Sequence, residues 1–176
     1  FFKPGTEIRD SMDFMDREMS GTMDLRVLVE GDLKDPKVLK NMDSLQIFIE
    51  KNEKVSVSFS VSDVVKQMHR TVMNDSVQYE IIPDQRGMVN NLFTAYSLSG
   101  DSESFSSLVD YEYTNALITA FSSAMSTEEV FSFIGKISEI CSKQFNLQWT
   151  DRCNGLDSCR ERYGSLNHSI VFIKYC

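Results

Sequence analysis

Met23-Asp24-Leu25-Arg26-Val27-Leu28-Val29-Glu30, then Asp35 to Lys51, then Val55-Ser56-Val57-Ser58-Phe59-Ser60: this stretch decides the fold class. In the first run Met23, Leu25, Val27 and Val29 alternate with Asp24, Arg26, Leu28 and Glu30. That period of two predicts a strand with one buried face and one mostly solvated face. Gly31-Asp32 turns the chain, and Asp35-Pro36 opens a helix. The Asp carboxylate accepts from free first-turn amides, and Pro at the first helical position gives up no needed hydrogen bond. Val38, Leu39, Met42, Leu45 and Ile49 form its buried stripe, while Lys37, Lys40, Asp43 and Glu50 face water. In the second strand the alternation predicts Val55, Val57 and Phe59 inward and Ser56, Ser58 and Ser60 outward. The whole is one β-α-β unit.

Upstream, residues 5–20 predict a helix capped by Thr6 and stopped by Gly21, with Ile8, Met12, Met15 and Met19 at helical spacing. A Met-rich stripe either packs a core or offers an adaptable ligand surface; core packing is the expectation. Downstream, Ser62-Asp63 caps a helix from Val64 to about Met73, with Val64, Val65, Met68 and Val72 on one side. His69 has no partner nearby in sequence and reads as structural or solvated. Tyr79 to Pro83 reads as extended, because the residue before Pro is biased that way. Residues 84–98 predict a helix with Met88, Val89, Leu92, Phe93 and Tyr96 on one face.

A third strand, about Tyr113 to Met125, sets Ala116, Ile118 and Ala120 against Leu117, Thr119 and Phe121. Ser126-Thr127-Glu128-Glu129 is a capping box. It opens a helix to about Phe145 that buries Val130, Phe133, Ile134, Ile137 and Cys141. Leu147-Gln148-Trp149-Thr150 reads as a fourth short strand. The order is β-α-β, a helical insertion over about 61–110, then β-α-β. That is an α+β fold, a ferredoxin-like repeat of split β-α-β halves, over residues 1–150. Residues 151–176 are an atypical tail, whose strand-like run Ser169 to Tyr175 pairs at a sheet edge or within a homo-oligomer.

The chain has 176 residues, of which 41% are hydrophobic and 25% charged, enough to bury a core. A net charge of −8 disfavours a nucleic-acid or anionic-membrane surface, because phosphates attract basic patches. No window reaches the roughly 18–20 apolar residues that span a bilayer. The start at Phe1-Phe2, without an initiator Met, reads as a piece of a longer protein. The cysteines Cys141, Cys153, Cys159 and Cys176 contain no Cys-x-x-Cys pair, which disfavours zinc. Spacing leaves open whether Cys153 and Cys159 form a disulfide. No nucleotide loop, nucleophile elbow, metalloprotease helix or calcium loop occurs. The carboxylate run Asp10, Asp13, Asp16 and Glu18 reads as a solvated helix face. The expectation is no enzyme, no metal and no cofactor.

Several segments in order resemble the large extracytoplasmic loop that follows the first membrane helix of resistance-nodulation-division (RND) exporters. The likeness is to the predicted-exporter branch, related to hydrophobe/amphiphile, hopanoid and mycobacterial membrane-lipid (MMPL) transporters. The segments are Phe14 to Gly21 leading into Met23 to Gly31; Asp35-Pro36; Val57 to His69, similar to that family's strand-to-helix run; Ile82-Pro83; Leu92 to Gly100; and Ser107 to Asp110. The likeness covers about residues 1–150. It ends after Trp149, where the family has a Thr-Gly turn and a returning helix and this chain has Asn154-Gly155.

The resemblance implies a porter domain on the periplasmic side of an inner-membrane, ion-gradient-driven transporter. It implies hydrophobic or amphiphilic small-molecule or lipid substrates. Its partners would be the parent's other domains and membrane helices. It also makes Met12, Met15, Met19, Met88, Phe93 and Tyr96 the candidate substrate lining. The alternative expectation is a stand-alone ferredoxin-like module that binds a small ligand or regulates.

Overall fold

Eight residues of alternating burial, Met23–Glu30, form the central strand β1. The computed structural model describes residues 3, 5–18, 20–98, 107–144 and 168–174. Ahead of β1 lies helix α1, Glu7–Glu18. Helix α2, Pro36–Glu50, starts as its sequence dictates: Asp35 accepts from the Lys37 amide at 2.9 Å, and Pro36 occupies the first turn. Strand β2, Val55–Ser60, runs directly into α3, Val61–Val72. A 3-10 turn, Val77–Tyr79, and helix α4, Arg86–Leu98, follow within the insertion. Strand β3 is Asn115–Ser122. Helix α5, Thr127–Gln144, opens on the expected capping box. The Ser126 amide donates to Glu129 at 2.7 Å, and the Glu129 amide donates to Ser126 Oγ at 3.3 Å. Strand β4 is His168–Lys174.

The sheet order is β2-β3-β1-β4. β3 lies between β1 and β2 and runs antiparallel to both, so the first β-α-β unit is split by a strand from later in the chain. β4 runs parallel to β1, and therefore opposed to β3. A second split β-α-β unit would close with a strand parallel to β3. Residues 147–150, expected to supply it, lie outside the described residues, as do Cys153 and Cys159.

One face of the sheet carries the core. Leu25, Val27 and Val29 pair with Ala120, Ile118 and Ala116. Against them pack Leu39, Met42, Leu45 and Ile49 of α2, Val65 of α3, Val89, Leu92 and Phe93 of α4, and Phe133 and Ile137 of α5. Each such aliphatic side chain contributes about 1.5–3 kcal/mol relative to exposure. α2 buries all five residues that its periodicity marks.

Three expectations are corrected. The parity of β2 is reversed: Ser58 and Ser60 are buried, while Val57 and Phe59 are exposed. The cause is a bulge. Val55 pairs with Ser122 and Val57 with Phe121, so Ser56 is an extra residue, and every side chain after it changes face. Second, α3 is capped by Ser60, not Ser62, through a capping box with Asp63, and Val72 is exposed rather than packed. Third, α1 buries nothing; its stripe does not pack a core, and Ile8, Phe14 and Met15 are exposed.

Candidate ligand-facing surface

The face of the sheet opposite the core is built by the outward residues of three strands. Strand register lines up Leu28 with Leu117, then Arg26 with Thr119 and Phe59, then Asp24 with Phe121 and Val57. Phe59 and Phe121 stack at 6.0 Å between ring centres, 29° apart. Val57 is 43% exposed and Phe59 39% exposed, because the helices that pack the core, α2 to α5, lie on the other side. Leu28, Leu117 and Phe121 are half-buried. The polar members are quiet: Asp24 holds Arg26 Nε at 2.9 Å, and Thr119 is buried between its neighbours. The result is an apolar strip across β1, β3 and β2 with one ion pair at its side. Such a strip attracts an apolar group from water by area, without directional chemistry.

Of the six residues expected to line a substrate path, the five that are described are not brought together on one surface. Met12 is half-exposed and Met15 exposed on α1, while Met19 lies outside the described residues. Phe93 is 2% exposed, stacked on Tyr113 at 4.9 Å, and so belongs to the core. Met88 and Tyr96 are half-buried against that core. α1 is tied to the Met23 end of β1, where Asp16 accepts from Thr22 Oγ1 at 2.7 Å and from the Ala124 amide at 3.2 Å. α4 is tied to the Glu30 end through the Arg86–Asp32 pair. At ~3.3 Å per residue an eight-residue strand separates them by about 26 Å.

The open strip was only partly visible in sequence. Leu28, Leu117 and Phe121 stand at solvent-side positions of β1 and β3, which is a readable anomaly. Val57 and Phe59 were hidden by the bulge, which period-two reading cannot see.

A concavity of about 620 Å³ lies elsewhere, between the turn after α2 and the start of α5, with Phe48, Lys54, Met125, Ser126, Glu129 and Phe133 among its lining. Its charges are committed. Hydrogen bonds from Lys54 Nζ at 2.8 Å and from the Ser126 amide pull the Glu129 carboxyl down to about 2. A carboxylate so held is a poor proton acceptor near neutrality. His69 is buried, with Nδ1 2.8 Å from the Ile81 carbonyl and Tyr79 at its ring edge, which is a structural role.

Between α2, β2 and α3 runs a satisfied polar network. Ser60 Oγ donates to Gln46 at 2.6 Å, Gln46 Nε2 to Asp63 at 2.7 Å, and Ser58 Oγ to Glu50 at 2.7 Å. Lys66 bridges Asp43 at 2.7 Å and Asp63 at 2.9 Å. Burial pulls the Lys66 pKa down, and these two hydrogen bonds outweigh it to give a net rise. Burial also pushes the Cys141 thiol up to about 12, which leaves it protonated and inert.

Among the described residues, no helix is long and apolar enough to cross a membrane. Nor does any group of three or more His, Cys, Asp or Glu side chains stand ready to hold a metal ion. No protein-family model, no curated protein and no solved structure matches the chain.

Proposed function

We propose that this chain is a ferredoxin-like extracytoplasmic porter domain of an ion-gradient-driven RND-type exporter. In this reading it takes part in the capture and passage of hydrophobic or amphiphilic substrates. The observation that carries the reading is the apolar strip of Leu28, Val57, Phe59, Leu117 and Phe121, which no described helix covers, on a sheet whose other face carries the core. An apolar sheet face of this kind wants either a neighbouring domain or an apolar guest, and a porter domain meets both. Supporting it are the strand order β2-β3-β1-β4 with β3 splitting the first β-α-β unit, the described helices α3 and α4 between β2 and β3, and the ordered resemblance of residues 1–150 to the exporter loop. The strip, rather than the methionines of α1, becomes the substrate-facing candidate. The role in this reading is binding and transit; among the described residues the charged members of the strip, Arg26 and Asp24, are paired with each other.

The direct test is the coding sequence on either side of Phe1 and Cys176. The reading expects a membrane-spanning helix just before Phe1 and more such helices after the domain. A parent whose flanking sequence encodes no membrane-spanning helix overturns it.

A further inference from the structure

β2 stands at one side of the sheet, so one row of its backbone N–H and C=O groups has no strand beside it among the described residues. Natural edges are usually blunted by Lys, by Pro or by an inward charge. Val-Ser-Val-Ser-Phe-Ser has none of these, in a chain of net charge −8. Its bulge at Ser56 disturbs only the start and leaves Val57–Ser60 in regular register with β3. Apolar side chains also flank this edge on both faces of the sheet. On the open face stand Val57 and Phe59. On the helix face, Asp43, Gln46 and Glu50 all reach toward β2 or α3 through Lys66, Ser60 and Ser58. Ile47 belongs to that same side of α2, four residues from Asp43 and three from Glu50, and it is 49% exposed.

We propose that the free edge of β2 pairs, antiparallel, with β2 of a second copy of this chain. A two-fold axis perpendicular to the sheet keeps both open faces on one side, so only residues of like face can oppose. Placing Ser58 opposite Ser58 of the second copy sets Val57 against Phe59 and Phe59 against Val57, two pairings of a β-branched with an aromatic side chain. Centring on Val57 instead would set Phe59 against Val55, which lies across the bulge on the core side. Centring on Phe59 would run into α3. The neutral strand puts no like charges opposite each other along the ladder, whereas a strand bearing Lys or Glu would lay a charge on Phe59 or Ile47. Pairing joins the two open strips into one continuous surface across an eight-stranded sheet.

Sedimentation velocity of the 176-residue chain at micromolar concentration tests this, read beside amide hydrogen exchange. The expected result is a concentration-dependent dimer, with the amides around Ser58 gaining protection as it forms. Val57→Lys should weaken the dimer by roughly tenfold or more, by placing a charge against Phe59. Val77→Lys, on the exposed 3-10 turn, should leave it unchanged. Circular dichroism checks that V57K is folded; if it is not, the concentration dependence of protection at Val57 to Phe59 in the unmodified chain decides. A monomer at every concentration, a dimer that folded V57K leaves intact, or a dimer without protection at β2 overturns the proposal.

Discussion

Single residues hold this fold at points that chemistry makes specific. Gly21 has φ +113°, and a Cβ there would sit 2.1 Å from the Ser122 carbonyl oxygen. Gly21→Ala should therefore cost about 3 kcal/mol, from a disfavoured backbone and a backbone clash together. Urea denaturation reads this directly, and a loss under about 1 kcal/mol would contradict the close approach. The position was legible as a helix stop, but its contact with β3 was not, because that neighbour is about a hundred residues away. Glu129 makes a prediction in pH. Its carboxyl is ordinarily near 4.5 and is held at about 2 when folded, chiefly by Lys54 and then by the Ser126 amide. A depressed folded value means that its stabilisation is complete above pH 4.5 and fades as pH falls toward 2. Glu129→Gln should flatten the fall in stability across that window, measured by urea midpoints at successive pH values. An unchanged slope would mean that the Lys54 contact does not persist in solution.

At the scale of elements, β2 separates what pattern can read from what it cannot. The helix stripe of α2 was legible residue by residue, because a 3.6-residue period survives small errors of phase. A strand has only two phases, so one extra residue inverts every later assignment. Ser56 is that residue, and Ser60 and Ser58, which plain alternation puts on the solvated face, are bonded to Gln46 and Glu50. Ser60→Ala removes the α3 cap and leaves Gln46 short of a partner, so it should cost about 2 kcal/mol. Val57→Ser, at a half-exposed position, should cost less than about 1 kcal/mol. The reverse ranking in chemical denaturation would restore the simple alternation. α1 failed differently. Its apolar stripe is legible as a stripe, but periodicity says only which face is apolar and not what covers it.

For the molecule as a whole, the first β-α-β unit, helices α3 and α4, and the strand-to-helix step from β3 to α5 are legible because each is a local pattern closed by turn and cap residues such as Asp35-Pro36 and Ser126 to Glu129. Strand direction is not. That β4 runs parallel to β1 depends on pairing between residues about 140 positions apart, which no local signal encodes. The surface proposed to meet substrate shares this origin: Leu28, Phe59 and Leu117 become neighbours only when β3 enters between β1 and β2. A titration of the isotope-labelled chain with a short-chain phospholipid below its micelle concentration, followed by amide and methyl NMR shifts, tests whether this apolar strip takes an amphiphile. Saturable shifts centred on Leu28, Val57, Phe59, Leu117 and Phe121 are predicted, and they should be lost in a folded Phe59→Asp variant. Shifts confined to α1 or to the cleft beside Glu129, or no saturable shift anywhere, would contradict it.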